Sequence, residues 1–94
     1  MARVLNGTEK LIAARLVVAD ALFRAGNIKE AERIYGDALM LAEEDSGENS
    51  ALAGVVLLEL FAFYDRQKRD DEAKAAWERV RQIIINYFED AKSA

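Results

Sequence analysis

Glu59 is the residue of this sequence placed most like a catalytic acid or base, alone within the apolar run of residues 55–64. A carboxylate held in such surroundings is desolvated and its pKa rises, which is one way a general acid is made. Helical periodicity offers a simpler reading, in which Glu59 turns to solvent or pairs with an arginine such as Arg15 or Arg24. No second carboxylate is placed by the pattern to share a cleft with it. The chain has no histidine and no cysteine, which removes the usual proton shuttle at neutral pH, thiolate chemistry and the commonest metal ligands. A di-iron bundle site needs histidines beside its glutamates. Gly7, Gly26, Gly36, Gly47 and Gly54 are scattered and make no phosphate-cradling loop. The expectation is therefore a protein that is not an enzyme, with no catalytic residue, cofactor or metal.

The charge pattern narrows the partners. Lys10, Arg15, Arg24, Lys68 and Arg69 are spread among acids, and the net charge is −4. That argues against nucleic acid and against an anionic membrane surface. With 94 residues, 52% hydrophobic and 32% charged, the chain suits one folded domain, spanning residues 1–94. The start, Met1-Ala2-Arg3-Val4-Leu5-Asn6, is too short for the apolar segment of a signal peptide, and no run is long enough to span a bilayer. A cytoplasmic location is the default expectation.

The elements that would position any site are helices. Proline, the strongest helix breaker, is absent. Asn6 and Glu9 have capping-box spacing, so helix 1 is expected from about residue 8 to 25. Gly26 closes it and Asn27 reads as the next cap, which leaves no room between the helices and forces an antiparallel hairpin. Helix 2 is expected from about residue 28 to 44. Residues 45–49, Asp-Ser-Gly-Glu-Asn, form a polar connector. Helix 3, from about residue 49 to 67, is apolar nearly all round and is expected to be the most buried. A polar turn at Lys68-Arg69-Asp70 leads into helix 4, with Asp70 as its cap, ending near residue 91. The aromatic residues, at helical spacing, are expected mostly in the core.

The halves repeat. Gly26, Ala31, Tyr35 and Ala38 follow one another at steps of five, four and three, and so do Lys68, Ala73, Trp77 and Val80. Each residue of the first set lies 42 positions before its counterpart. A fixed period of helix–turn–helix units is the signature of a solenoid. The stretch from Leu22 through Gly26, Ala31, Tyr35 and Ala38 to Leu39 resembles the tetratricopeptide repeat, and its long period is similar to that of kinesin-light-chain-type repeats. The resemblance implies an all-α fold, two antiparallel helix hairpins stacked as a short right-handed α-solenoid. Repeat one covers about residues 8–44 and repeat two about 49–91. Ala31 and Ala73 would let helices approach closely, while Tyr35 and Trp77 would be large buried wedges. Full burial of Trp77 sets the expected cost of Trp77→Ala at about 3–5 kcal/mol. Lys68 stands where the turn glycine belongs and Phe61 where a small residue belongs. The second turn is therefore expected to differ by a residue, or its hairpin to pack more loosely.

The same resemblance implies a function in protein–protein interaction, as a scaffold or adaptor. The first helix of each hairpin would line a concave groove: Ala13, Leu16, Asp20 and Phe23 from helix 1, and Val55, Leu58, Ala62 and Asp65 from helix 3. This groove lacks the lysine and asparagine with which some relatives clamp a peptide carboxylate, and has Leu58 where others hold a peptide backbone with asparagine. An apolar groove with a few acids fits a partner helix laid in by its hydrophobic face, with basic flanks. The competing reading is self-association, a homodimer through the apolar helix 4 at Val80, Ile84, Ile85, Tyr87 and Phe88. A fragment of a larger protein of the same family would present the same face.

Overall fold

Asn6 and Glu9 start the first helix as their spacing predicts. The Asn6 side-chain oxygen accepts the Glu9 amide at 2.8 Å, and the Glu9 carboxylate accepts the Asn6 amide at 3.2 Å. The computed structural model describes residues 5–93, with side chains to residue 90. Residues 1–4, most of the stretch read for a targeting signal, lie outside the described residues. The fold is all-α: α1 Gly7–Arg24, α2 Ile28–Ser46, α3 Ala51–Arg66 and α4 Asp70–Ser93. α1 packs on α2 and α3 on α4 as two hairpins, and α3 lies against the first hairpin, mainly along α2. Among the described residues, no helix is long and apolar enough to cross a membrane.

The two hairpin turns are the same motif. After α1, the Gly26 amide donates to the Phe23 carbonyl at 3.0 Å and the Asn27 amide to the Leu22 carbonyl at 2.9 Å. This pair of bonds satisfies carbonyls the helix end would leave open. After α3, Lys68 donates to Asp65 and Arg69 to Tyr64, both at 3.0 Å. Gly26 has φ 85° and Lys68 has φ 59°, both left-handed. The expected one-residue difference in the second turn is therefore absent; Lys68 takes the glycine's conformation in register.

Other boundaries shift for local reasons. The Asn27 side chain makes no capping bond, and Glu30 is held instead by Arg33, whose Nε lies 3.1 Å from each carboxylate oxygen. Arg69, not Asp70, occupies the cap of α4, its carbonyl accepting the Ala73 amide at 2.9 Å. Asp70, Asp71 and Glu72 fill the first turn of α4, where negative charge favours the helix dipole. The connector is shorter than expected because α2 continues to Ser46. Ser50 then caps α3, accepting the Ala53 amide at 3.1 Å while its hydroxyl donates to the Gly47 carbonyl at 2.8 Å.

Small residues set the helix spacing. Ala19, Ala31, Ala38, Ala42 and Ala53 are fully buried, and Ile12, Tyr35, Val56, Leu60 and Phe63 complete the core between the first hairpin and α3. The Tyr35 ring meets the Phe63 ring at 5.0 Å, and Phe23 meets Phe63 edge-on at 5.4 Å. A smaller cluster of Leu57, Val80 and Ile83 binds α3 to α4, with Leu39 of α2 touching both groups. Gly54 is buried here against Ile83, where an added Cβ would make ordinary van der Waals contact at 3.6 Å. α3 is indeed the most buried helix among the described residues.

Trp77 corrects the wedge expectation. Tyr35 is 3% exposed, whereas Trp77 is 42% exposed. Tyr35 is covered by α3 through Phe63, and no described helix covers Trp77 in that way. Phe61, standing where the first hairpin has the buried Ala19, meets the Trp77 ring at 5.6 Å.

Candidate functional site

The groove residues read from the sequence divide by hairpin. On α1, Leu16 and Phe23 pack against the core cluster. Asp20 bonds Arg24 at 2.9 Å and lies 3.7 Å from Arg66, whose guanidinium sits over the Phe23 ring at 5.9 Å. These side chains join α1 to α3 and leave little to grip a ligand; Ala13 alone of the four is well exposed. On α3, Val55 and Leu58 are exposed although they lie in the most apolar segment of the chain. Ala62 is half-buried, and Asp65 is exposed beside a shallow depression with Phe61, Ala73 and Trp77.

The self-association residues of α4 open onto the same place as Val55 and Leu58. Ile84, Tyr87 and Phe88 rise from α4 opposite them, forming an apolar cleft of about 320 Å³ with Ala51 and Gly54. Val80 is not a free contact residue. It is 3% exposed and, with Ile83, floors the cleft. Ile85 is half-buried and lies off the cleft lining. Val55 and Leu58 of the groove reading thus line one cleft with Ile84, Tyr87 and Phe88 of the self-association reading. The joining signal was present: residues 55 and 58 share one face of α3, and residues 84, 87 and 88 one face of α4. What the sequence lacked was the rotation of each helix about its axis.

Electrostatics around the site fix the scaffold. Arg69 is the main clamp between hairpins. Its guanidinium donates to Glu32 of α2 at 2.7 Å and to Glu72 of α4 at 2.6 Å, and stacks over Tyr64 at 4.8 Å. Hydrogen bonding to Glu32 and then Glu72 raises the Arg69 pKa, so it stays charged throughout. The Arg69 hydrogen bond holds the Glu72 carboxyl below its usual 4.5. Burial, followed by nearby carboxylates, raises the hydroxyl pKa of Tyr35 and Tyr64. Glu59 points to solvent. Among the described residues, no polar or charged side chain is buried and no group of three or more acidic residues is placed to hold a metal.

The site is therefore apolar, open and built from the faces of two helices, suited to receive hydrophobic side chains. No family model matches the chain, and no curated protein or solved structure is significantly similar to it.

Proposed function

We propose that this chain is a partner-binding scaffold of tetratricopeptide type, whose α3–α4 cleft receives the apolar face of a partner helix. One observation carries this reading. Val55, Leu58, Ile84, Tyr87 and Phe88 are large apolar side chains left exposed around a single cleft. Contiguous apolar surface of this kind marks an interaction site, and helix-in-groove docking uses anchors spaced at i, i+3, i+4 and i+7. Glu59 follows Leu58 in the chain, and Glu89 and Asp90 follow Phe88, which favours a helix with basic flanks. A cytoplasmic setting belongs to the same reading, since the cysteine-free chain needs no oxidising compartment.

The test is an NMR titration of the labelled protein with a synthetic amphipathic leucine helix flanked by lysines. Saturable shifts should appear at Val55, Leu58, Ile84 and Phe88. Leu58→Asp should abolish them without lowering the melting temperature appreciably, because Leu58 is half in water already. Unchanged affinity in Leu58→Asp, or shifts centred elsewhere, would remove the cleft as the site.

A further inference from the structure

The internal repeat shows what kind of helix this cleft takes. In the first hairpin, the residues 42 positions before the open face of the second are Leu16, Ala19, Tyr35 and Ala42, and α3 covers them. Their counterparts Leu58, Phe61, Trp77 and Ile84 have no such cover: Ala42 is fully buried, whereas Ile84 is 44% exposed. The open face is the next position of an interface the molecule has already formed once. The face of α3 that makes that interface is Ala53, Val56, Leu60 and Phe63. Shifted back by the same 42 positions it becomes Leu11, Ala14, Val18 and Ala21 of α1, all exposed. Both halves of the interface are thus present, unfilled, on opposite sides of one chain.

We infer that a second copy of this chain is an occupant of the cleft, docking head-to-tail with the outer face of its α1 laid on α3 and α4 as α3 lies on the first hairpin. This rests on the reading of the cleft as a helix receptor and names the helix. Size complementarity supports it. Within the chain, a receptor with two small residues, Ala19 and Ala42, beside the Tyr35 ring meets bulky Leu60 and Phe63. Between copies, a receptor enlarged to Phe61 and Ile84 beside Trp77 meets the smaller Val18 and Ala21, so large and small exchange sides at these positions. Charge agrees as well. Arg66 sits over Phe23 within the chain; the corresponding pair between copies is Arg24 over Asp65, two opposite charges. Lys10 and Arg24 place basic residues at the two ends of α1, the flanks the acid-rimmed cleft calls for. Such an interface is heterologous, so each added copy presents a fresh cleft and growth continues into chains or closes into rings.

Sedimentation velocity over a range of concentrations tests this. The wild-type chain should grow in mass with concentration. Val18→Asp, on the docking face, and Ile84→Asp, in the receptor, should each be monomeric. Their equimolar mixture should form a one-to-one dimer and nothing larger, because each mutant keeps the half-site the other has lost. Leu11→Asp and Leu58→Asp provide a second such pair, and circular dichroism melts confirm which variants are folded. A dimer that persists in Val18→Asp, or a mixture that stays monomeric, would overturn head-to-tail docking. A wild-type monomer at high micromolar concentration that still binds the lysine-flanked peptide would overturn this inference alone. Failure of both would overturn the helix-receptor reading with it.

Discussion

Replacing Lys68 by glycine should make the protein more stable, and the structure sets the size of the gain. Lys68 ends α3 with φ 59°, where Gly26 ends α1 with φ 85°. The two bonds that close each turn, and the bond from Ala31 or Ala73 back to the following cap, correspond across the 42-residue repeat, while the preceding amide differs: Ala25 donates to Ala21 and Gln67 to Tyr64. A residue with a Cβ pays roughly 1–2 kcal/mol to sit in the left-handed region. Glycine returns about 0.5–1 kcal/mol of that through the greater freedom of its unfolded chain. The net backbone effect is about 1 kcal/mol in favour of glycine. Lysine near a helix C-terminus also gains about 0.3–1 kcal/mol from the dipole, so the clean comparison is Lys68→Gly against Lys68→Ala. That difference should equal the loss caused by Gly26→Ala, where an added Cβ meets nothing within 4 Å and only the dihedral opposes it. Urea titrations of the four proteins supply the free energies, provided unfolding is two-state. In thermal melts a shift of about 4–8 °C per kcal/mol is expected for a domain of this size. If the glycine and alanine variants at position 68 are equally stable while Gly26→Ala loses about 1 kcal/mol, the two turns are not equivalent. The repeat-based reasoning would then fail at its base.

Two further predictions use the same repeat and its clamp. Tyr35→Ala should cost about 3–5 kcal/mol as a buried ring loses its packing. Trp77→Ala should cost about 2 kcal/mol, because close to half of its surface is already in water; equal losses in paired urea titrations would contradict the exposure difference. Acid should weaken the Arg69 clamp. The Glu72 pKa is depressed in the folded state, so its contribution is complete above the usual 4.5 and is lost as pH falls through the lower folded value. Arg69→Met should therefore flatten the fall in melting temperature below about pH 4.5, and an unchanged acid limb would mean that the clamp does not couple to folding.

Much of the fold was legible because its local signals are strong. Asn6 with Glu9, Gly26, and the alanine-aromatic spacing of α2 each fix a boundary or a buried face through chemistry within a few residues. The misreadings arise where a competing local partner or the placement of a neighbouring helix decides. Asn27 has capping chemistry and spacing, yet Glu30 finds a better partner in Arg33. Asp70 resembles a cap, but the preceding turn copies the first hairpin's and moves the cap to Arg69. Trp77 occupies the position of Tyr35, and only the placement of α3 reveals that one of them is covered and the other is not. Val80 and Ile84 are both apolar and lie four residues apart, about 40° around α4; that offset leaves the first in the core and the second open.

Three departures of the second hairpin from the first fall on its open face. Phe61 for Ala19, Trp77 for Tyr35 and Ile84 for Ala42 all replace a side chain by a larger one, and all three lie on the side of the hairpin turned away from the rest of the chain. On the side facing the first hairpin the second hairpin is again the larger, since α3 presents Leu60 and Phe63 where α1 presents Val18 and Ala21. An apolar surface that only had to meet water would gain from polar substitution at these positions, at no cost to the buried alanines beneath. The enlarged side chains of the open face, Ile84 in the cleft and Phe61 and Trp77 in a separate depression, are opposite in size to Val18 and Ala21 on the exposed face of α1, which fits the head-to-tail docking proposed above.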